Sequence, residues 1–115
     1  MEGPLQAFVD DMDGLGLCPR VEAGLVVCDV VPVGGARAGG SLLLGVAVEE
    51  VNNWPTAPPH WIHLAAEVKF RATNSEASSK PGWLRHSRNC AGWGDAPAAV
   101  CWHAHLQAVL GEVVE

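Results

Sequence analysis

What this 115-residue chain lacks narrows what it can be. No stretch is long and apolar enough to span a bilayer, so no membrane-crossing segment is expected. Basic residues are scarce: Lys and Arg number 7 against 13 Asp and Glu, for a net charge of −6. A nucleic-acid binder needs a basic footprint, so no nucleic-acid partner is expected. Met1-Glu2-Gly3-Pro4 carries no basic region leading into an apolar one, so no secretory signal is expected. No CxxC occurs, and Cys18, Cys28, Cys90 and Cys101 are irregularly spaced. These features point to reduced thiols in a cytoplasmic protein. Internal repeats and linkers are also missing, which predicts one domain over residues 1–115.

What is present is ample core material, at 49% hydrophobic residues. Leu5, Phe8, Val9, Met12 and Leu15 recur at helical spacing after Pro4, which predicts a helix over residues 4–13. Residues 25–33 and 41–51 read as two strands of a hairpin joined by a glycine-rich loop. Because strand follows strand, that loop lacks the strand–loop–helix setting of a phosphate cradle. Next come Trp54-Pro55-Thr56-Ala57-Pro58-Pro59-His60-Trp61. Proline fixes φ and removes a backbone donor, so this stretch reads as a stiff extended crossing anchored by Trp54 and Trp61. A strand over residues 61–70, a polar loop over 73–82 and an irregular stretch over 82–97 follow. Pro97 opens a closing helix reaching about Val114, with an apolar stripe of Trp102, Leu106, Val109, Leu110 and Val113. Trp54, Trp61, Trp93 and Trp102 are expected to be mostly buried around the crossing.

Two kinds of chemistry are conceivable. On a helix, Cys101 and His105 share a face at i and i+4, but His103 and His105 do not. With Cys90 distant, this matches no usual zinc spacing, and no metal or other cofactor is expected. Surface histidines and a packed cysteine are the better reading of that trio. His60 and His63, three apart on a strand, point to opposite faces. A nucleophile is the other idea. Ser87 and Cys90 lie within three residues of each other, with His86 as a base and Arg85 and Arg88 as flanking cations. His86, Ser87 and Cys90 are expected to line one exposed groove between the 73–82 loop and the closing helix.

The order of elements resembles a ubiquitin-conjugating enzyme. The family places an aromatic-Pro pair, then Pro-Pro, then an apolar strand, as Trp54-Pro55 and Pro58-Pro59 before Trp61-Ile62 do here. Trp93 and Pro97 resemble the family's tryptophan and the helix start beyond its active-site cysteine. The resemblance is strongest to divergent bacterial members that serve ubiquitin-like conjugation operons, often in phage defence. It implies a compact α+β UBC-like fold: an antiparallel meander with a helix at each end. The family's cysteine lies about eight residues before that tryptophan, which lands here on Arg85. The histidine-proline-asparagine tripeptide that steadies the family's oxyanion is missing, and His86-Ser87-Arg88-Asn89 only echoes it.

Two functions follow from the resemblance. In one, the chain is a carrier that accepts the C-terminus of a ubiquitin-like protein from an activating enzyme onto Ser87 or Cys90, with His86 and Arg85 in the site. In the other, it is an inactive UBC-like module that binds the ubiquitin-like protein or the activating enzyme.

Overall fold

The computed structural model describes residues 3–71 and 74–115. The first helix, α1 (Pro4–Gly14), starts with a proline in its first turn and buries Phe8 and Met12. Its end is closed by backbone bonds from Leu15 and Leu17 to Met12. Six strands follow: β1 (Arg20–Glu22), β2 (Leu25–Val30), β3 (Leu42–Ala47), β4 (Trp61–Ala65), β5 (Ser75–Ala77) and β6 (Trp83–Ser87). A second helix, α2 (Ala98–Leu110), closes the chain. The strands form one sheet in the order β1-β2-β3-β4-β6-β5, with every neighbouring pair antiparallel. The architecture is α+β, antiparallel and with a helix at each end, as expected, but β6 lies between β4 and β5, so the sheet is not the simple meander expected from sequence.

Side-chain alternation divides the sheet into two faces. Val26, Cys28 and Val30 of β2 stand opposite Val46, Leu44 and Leu42 of β3. With Ile62 and Leu64 of β4 they form one face of the main core, which also takes in Phe8 and Met12 of α1 and Trp102, Leu106, Val109 and Leu110 of α2. An aromatic group binds this core together. Phe8 meets Trp54 edge-on at 4.9 Å, and Trp54 lies 5.4 Å from Trp93 and 6.4 Å from Trp102. The indole N–H of Trp54 also donates to the Asp11 carboxylate at 2.8 Å, fastening α1 to the crossing.

The opposite face holds a smaller cluster of Leu25, Val27 and Ala47, packed against Trp83. Gly45 permits it, because a Cβ there would stand 2.9 Å from a methyl of Leu25. The connection between β5 and β6 reaches the tip of the β1–β2 hairpin. Ser79 donates to the carbonyl of Ala23 at 2.8 Å, and Lys80 pairs with Glu22 at 3.2 Å.

Several elements differ from the reading of the sequence. The stretch over 82–97 is not wholly irregular, since it contains β6, and the polar loop contains β5. These two make a hairpin, and β6 draws further pairing from β4. The start of that loop at Thr73 and the residues Met1 and Glu2 lie outside the described residues. Residues 52–56 form turns rather than an extended crossing, because Trp54 and Ala57 donate back to Val51 and Asn53. The second strand of the first hairpin ends at Ala47 and passes into a 3-10 turn over Val48–Val51. The strand expected over 61–70 stops at Ala65, where Val68 turns back to Ala65. Of the four tryptophans, Trp54 and Trp102 are buried, and Trp93 is half-buried with its N–H on the carbonyls of Pro55 and Thr56. Trp61 is half-exposed and stands away from this group, with the guanidinium of Arg85 at 4.2 Å from its ring centre. Among the described residues, no helix is long and apolar enough to cross a membrane.

Candidate functional site

The candidate residues come from β6 and the turn after it, and alternation along the strand separates them. Arg85 and Ser87 stand opposite His63 and Trp61 of β4. His86, opposite Ile62, is 2% exposed and packs at 4.8 Å on the ring of Phe70. Neither of its ring nitrogens has a partner among the described residues. Burial, with Arg88 nearby, pushes its pKa below the ordinary histidine value. His86 therefore does not share an exposed groove with Ser87, and it does not act as its base.

The histidine beside Ser87 is His60. Its Nε2 is hydrogen-bonded to the Ser87 hydroxyl, and both residues are half-exposed. The pairing of β4 with β6 produces this contact: Trp61 sits opposite Ser87, and the carbonyl of His60 accepts the N–H of Arg88 at 3.1 Å. Glu50, on the 3-10 turn, accepts the N–H groups of His60 and Trp61 at 3.0 and 3.2 Å and so fixes the entry to β4. A histidine hydrogen-bonded to a serine hydroxyl is the arrangement in which a nucleophile can lose its proton during attack.

Arg85 is engaged elsewhere. It pairs with Glu76 of β5 through two nitrogens and lies over Trp61. Cys90 is half-buried, with its thiol 3.9 Å from the carbonyl of Ala91. Burial raises its pKa, and nearby Cys101 adds to the rise, so the thiol rather than the thiolate is favoured at neutral pH. Cys101 opens α2 with its thiol 3.4 Å from the carbonyl of Ala96. Cys28, inside the core, is pushed up to about 12 by burial.

A second Ser–His pair lies on the other part of the sheet. His63 Nδ1 is 2.7 Å from the Ser78 hydroxyl, which also accepts the N–H of Lys80 at 3.1 Å. His63 is 3% exposed, and burial, with help from Arg85 and His86, takes its pKa down to about 4. Its Nε2 is buried without a partner among the described residues. This pair fastens the connection before β6, with its histidine buried and its serine half-buried.

His105, a surface residue in the reading of the sequence, has a buried Nε2 without a partner among the described residues and lies 5.3 Å from the ring of Trp102. Burial lowers its pKa, Arg88 and His60 lower it further, and Glu112 opposes them. Among the described residues no cluster of three metal-ligating side chains occurs.

Sequence reasoning missed His60 as the partner of Ser87. The signal was β6 itself, where Trp83, Arg85 and Ser87 alternate with Leu84 and His86. Once that strand is set antiparallel to β4, His60 falls beside Ser87. Comparison with protein-family models, with curated proteins and with solved structures finds no match to this chain.

Proposed function

We propose that this chain is a UBC-like carrier, with Ser87 as the acyl acceptor and His60 as its general base. The hydrogen bond between the Ser87 hydroxyl and His60 Nε2 carries this reading. The order of α1, the sheet, the Trp54-Pro55 turn and α2 supports the UBC-like assignment, while the β5–β6 hairpin departs from the meander that the resemblance implies. A ubiquitin-like protein would arrive as a thioester on its activating enzyme. The Ser87 oxygen attacks the thioester carbonyl, a C–O bond forms and the C–S bond breaks. The hydroxyl proton passes to His60 Nε2 and then to the departing thiolate. General-base help of this kind is worth about 10²–10⁴-fold in rate.

The inactive binding-module reading has its own support. Burial holds Cys90 as a thiol, and Arg85, which stands where the resembled family keeps its cysteine, is tied to Glu76. One experiment separates the two. The protein is mixed with a ubiquitin-like protein, its activating enzyme and ATP. A carrier gives an adduct that resists mild thiol, is cleaved by hydroxylamine, disappears in Ser87→Ala and persists in Cys90→Ala. Binding of the ubiquitin-like protein with no adduct to the wild-type chain makes it a binding module.

A further inference from the structure

The outer side of α2 borders a groove of about 430 Å³ that the Ser87 chemistry does not use. Its walls are largely apolar, with Ala91, Val100, Ala104, Ala108 and Val109 among them. Val100 is 55% exposed there. Arg88 and His105 are its basic lining residues. Arg88 reaches it because it follows Ser87 and leaves on the side of His86, where its guanidinium lies 4.7 Å from the Phe70 ring centre. Its Nε is buried without a hydrogen-bond partner, and among the described residues its guanidinium forms no ion pair. His105 Nε2 is likewise buried and, among the described residues, unpartnered. A buried, unpaired guanidinium nitrogen is costly, and the charge is satisfied most directly by an anion. Arg88 also lines an adjoining cavity together with Arg71 and Glu112, so that side carries a second cation beside the same carboxylate.

The apolar walls and the single carboxylate on the lining decide which anion fits. Glu112 borders the same groove and disfavours a doubly charged guest. The volume falls within the usual range of small-molecule sites, about 300–1,000 Å³. We propose that this groove binds a carboxylate carried on a short apolar chain, with Arg88 holding the carboxylate, His105 offering a further hydrogen bond and the α2 alanines and valines covering the chain. The site is independent of the carrier reading, and its test does not involve Ser87.

The full chain is titrated with octanoate by calorimetry and by amide chemical shifts. Octanol, octylamine and inorganic phosphate serve as controls. Octanoate is expected to bind saturably, with shifts confined to residues 88–92 and the outer side of α2, and at least tenfold more tightly than octanol, octylamine or phosphate. Arg88→Gln should weaken octanoate at least tenfold. Ala104→Trp, at an exposed helical position, should block the groove while the circular dichroism spectrum is unchanged. The site is refuted if octanoate binds no more tightly than octanol or phosphate, or if neither variant alters its binding. Should Arg88→Gln fail to fold, the ligand series on wild type and Ala104→Trp decides the matter. A dipeptide with a C-terminal leucine, as free acid and as amide, separates the sources. Tighter binding of the acid than of octanoate marks a polypeptide terminus, the reverse marks a free fatty acid, and either supports the carboxylate site.

Discussion

The two Ser–His pairs use the same chemistry and stand on the same strand, β4 or its entry, yet they differ in what surrounds them. Ser78 is half-buried like Ser87, but its partner His63 is 3% exposed at the place where the β5–β6 connection meets the β1–β2 tip, and burial holds it neutral. Ser87 and His60 sit at the end of β6, half-exposed, with the loop of residues 88–97 beside them. A hydrogen bond between serine and histidine is therefore no mark of catalysis by itself. Access decides whether the pair is a fastening or a reactive group.

The largest expected effect tests the frame that holds both pairs in place. Trp102 is fully buried between Phe8, Trp54 and His105, so Trp102→Ala should cost roughly 3–5 kcal/mol. Denaturant unfolding measures it, and a cost below about 1 kcal/mol would mean that α2 does not dock as described.

Next is the buried pair's response to pH. The folded pKa of His63, about 4, lies below the ordinary 6.5, so between those values the unfolded chain binds more protons than the folded one. Stability then rises with pH across that window and is lost as pH falls from about 6.5 towards 4, by about 3 kcal/mol from this residue. His86 and His105 are shifted in the same direction and add to the loss. Unfolding free energies measured at several pH values should show a shallower slope in His63→Asn than in wild type. An equal slope would show that His63 takes up its proton without unfolding, which would erase the contrast with His60.

Leu25→Ala comes third, at about 2–3 kcal/mol, because the cluster on the His63 side of the sheet is small but fully buried at Leu25. The same denaturation series reports it, and a change within about 0.5 kcal/mol would mean that this face is open to solvent and His63 with it.

The smallest effect on stability belongs to the accessible pair. Ser87→Ala should change the unfolding free energy by less than about 1 kcal/mol, since a half-exposed hydroxyl can be replaced by water around His60. It should nevertheless abolish the adduct with a ubiquitin-like protein. A large destabilisation would make Ser87–His60 a second structural fastening.

Much of the frame could be read from the residues alone. Pro4 and the Leu5, Phe8, Met12 spacing specify α1, and Trp102, Leu106, Val109 and Leu110 specify the buried side of α2, because helical periodicity is a local property of the chain. β-Branched content marked β2, alternation marked β3, and the two were read as a hairpin. β1, β5 and β6 escaped notice, since the first two are three-residue edge strands with exposed side chains, and β6 mixes Arg85, His86 and Ser87 with its apolar residues.

The candidate site depended on the tertiary structure far more. Sequence placed Ser87, Cys90 and His86 near one another along the chain, but neighbours on a strand face opposite ways, so His86 went into the core. The histidine hydrogen-bonded to Ser87 is instead His60, 27 residues away, because β4 and β6 pair in one register and no other. Which histidine stays accessible was settled by what covers it, a property of packed neighbours that the order of residues does not state. Residue types and their periods determine which segments can bury an apolar side. The register between strands distant in sequence, and the solvent left beside each polar group, are decided only when those segments pack together.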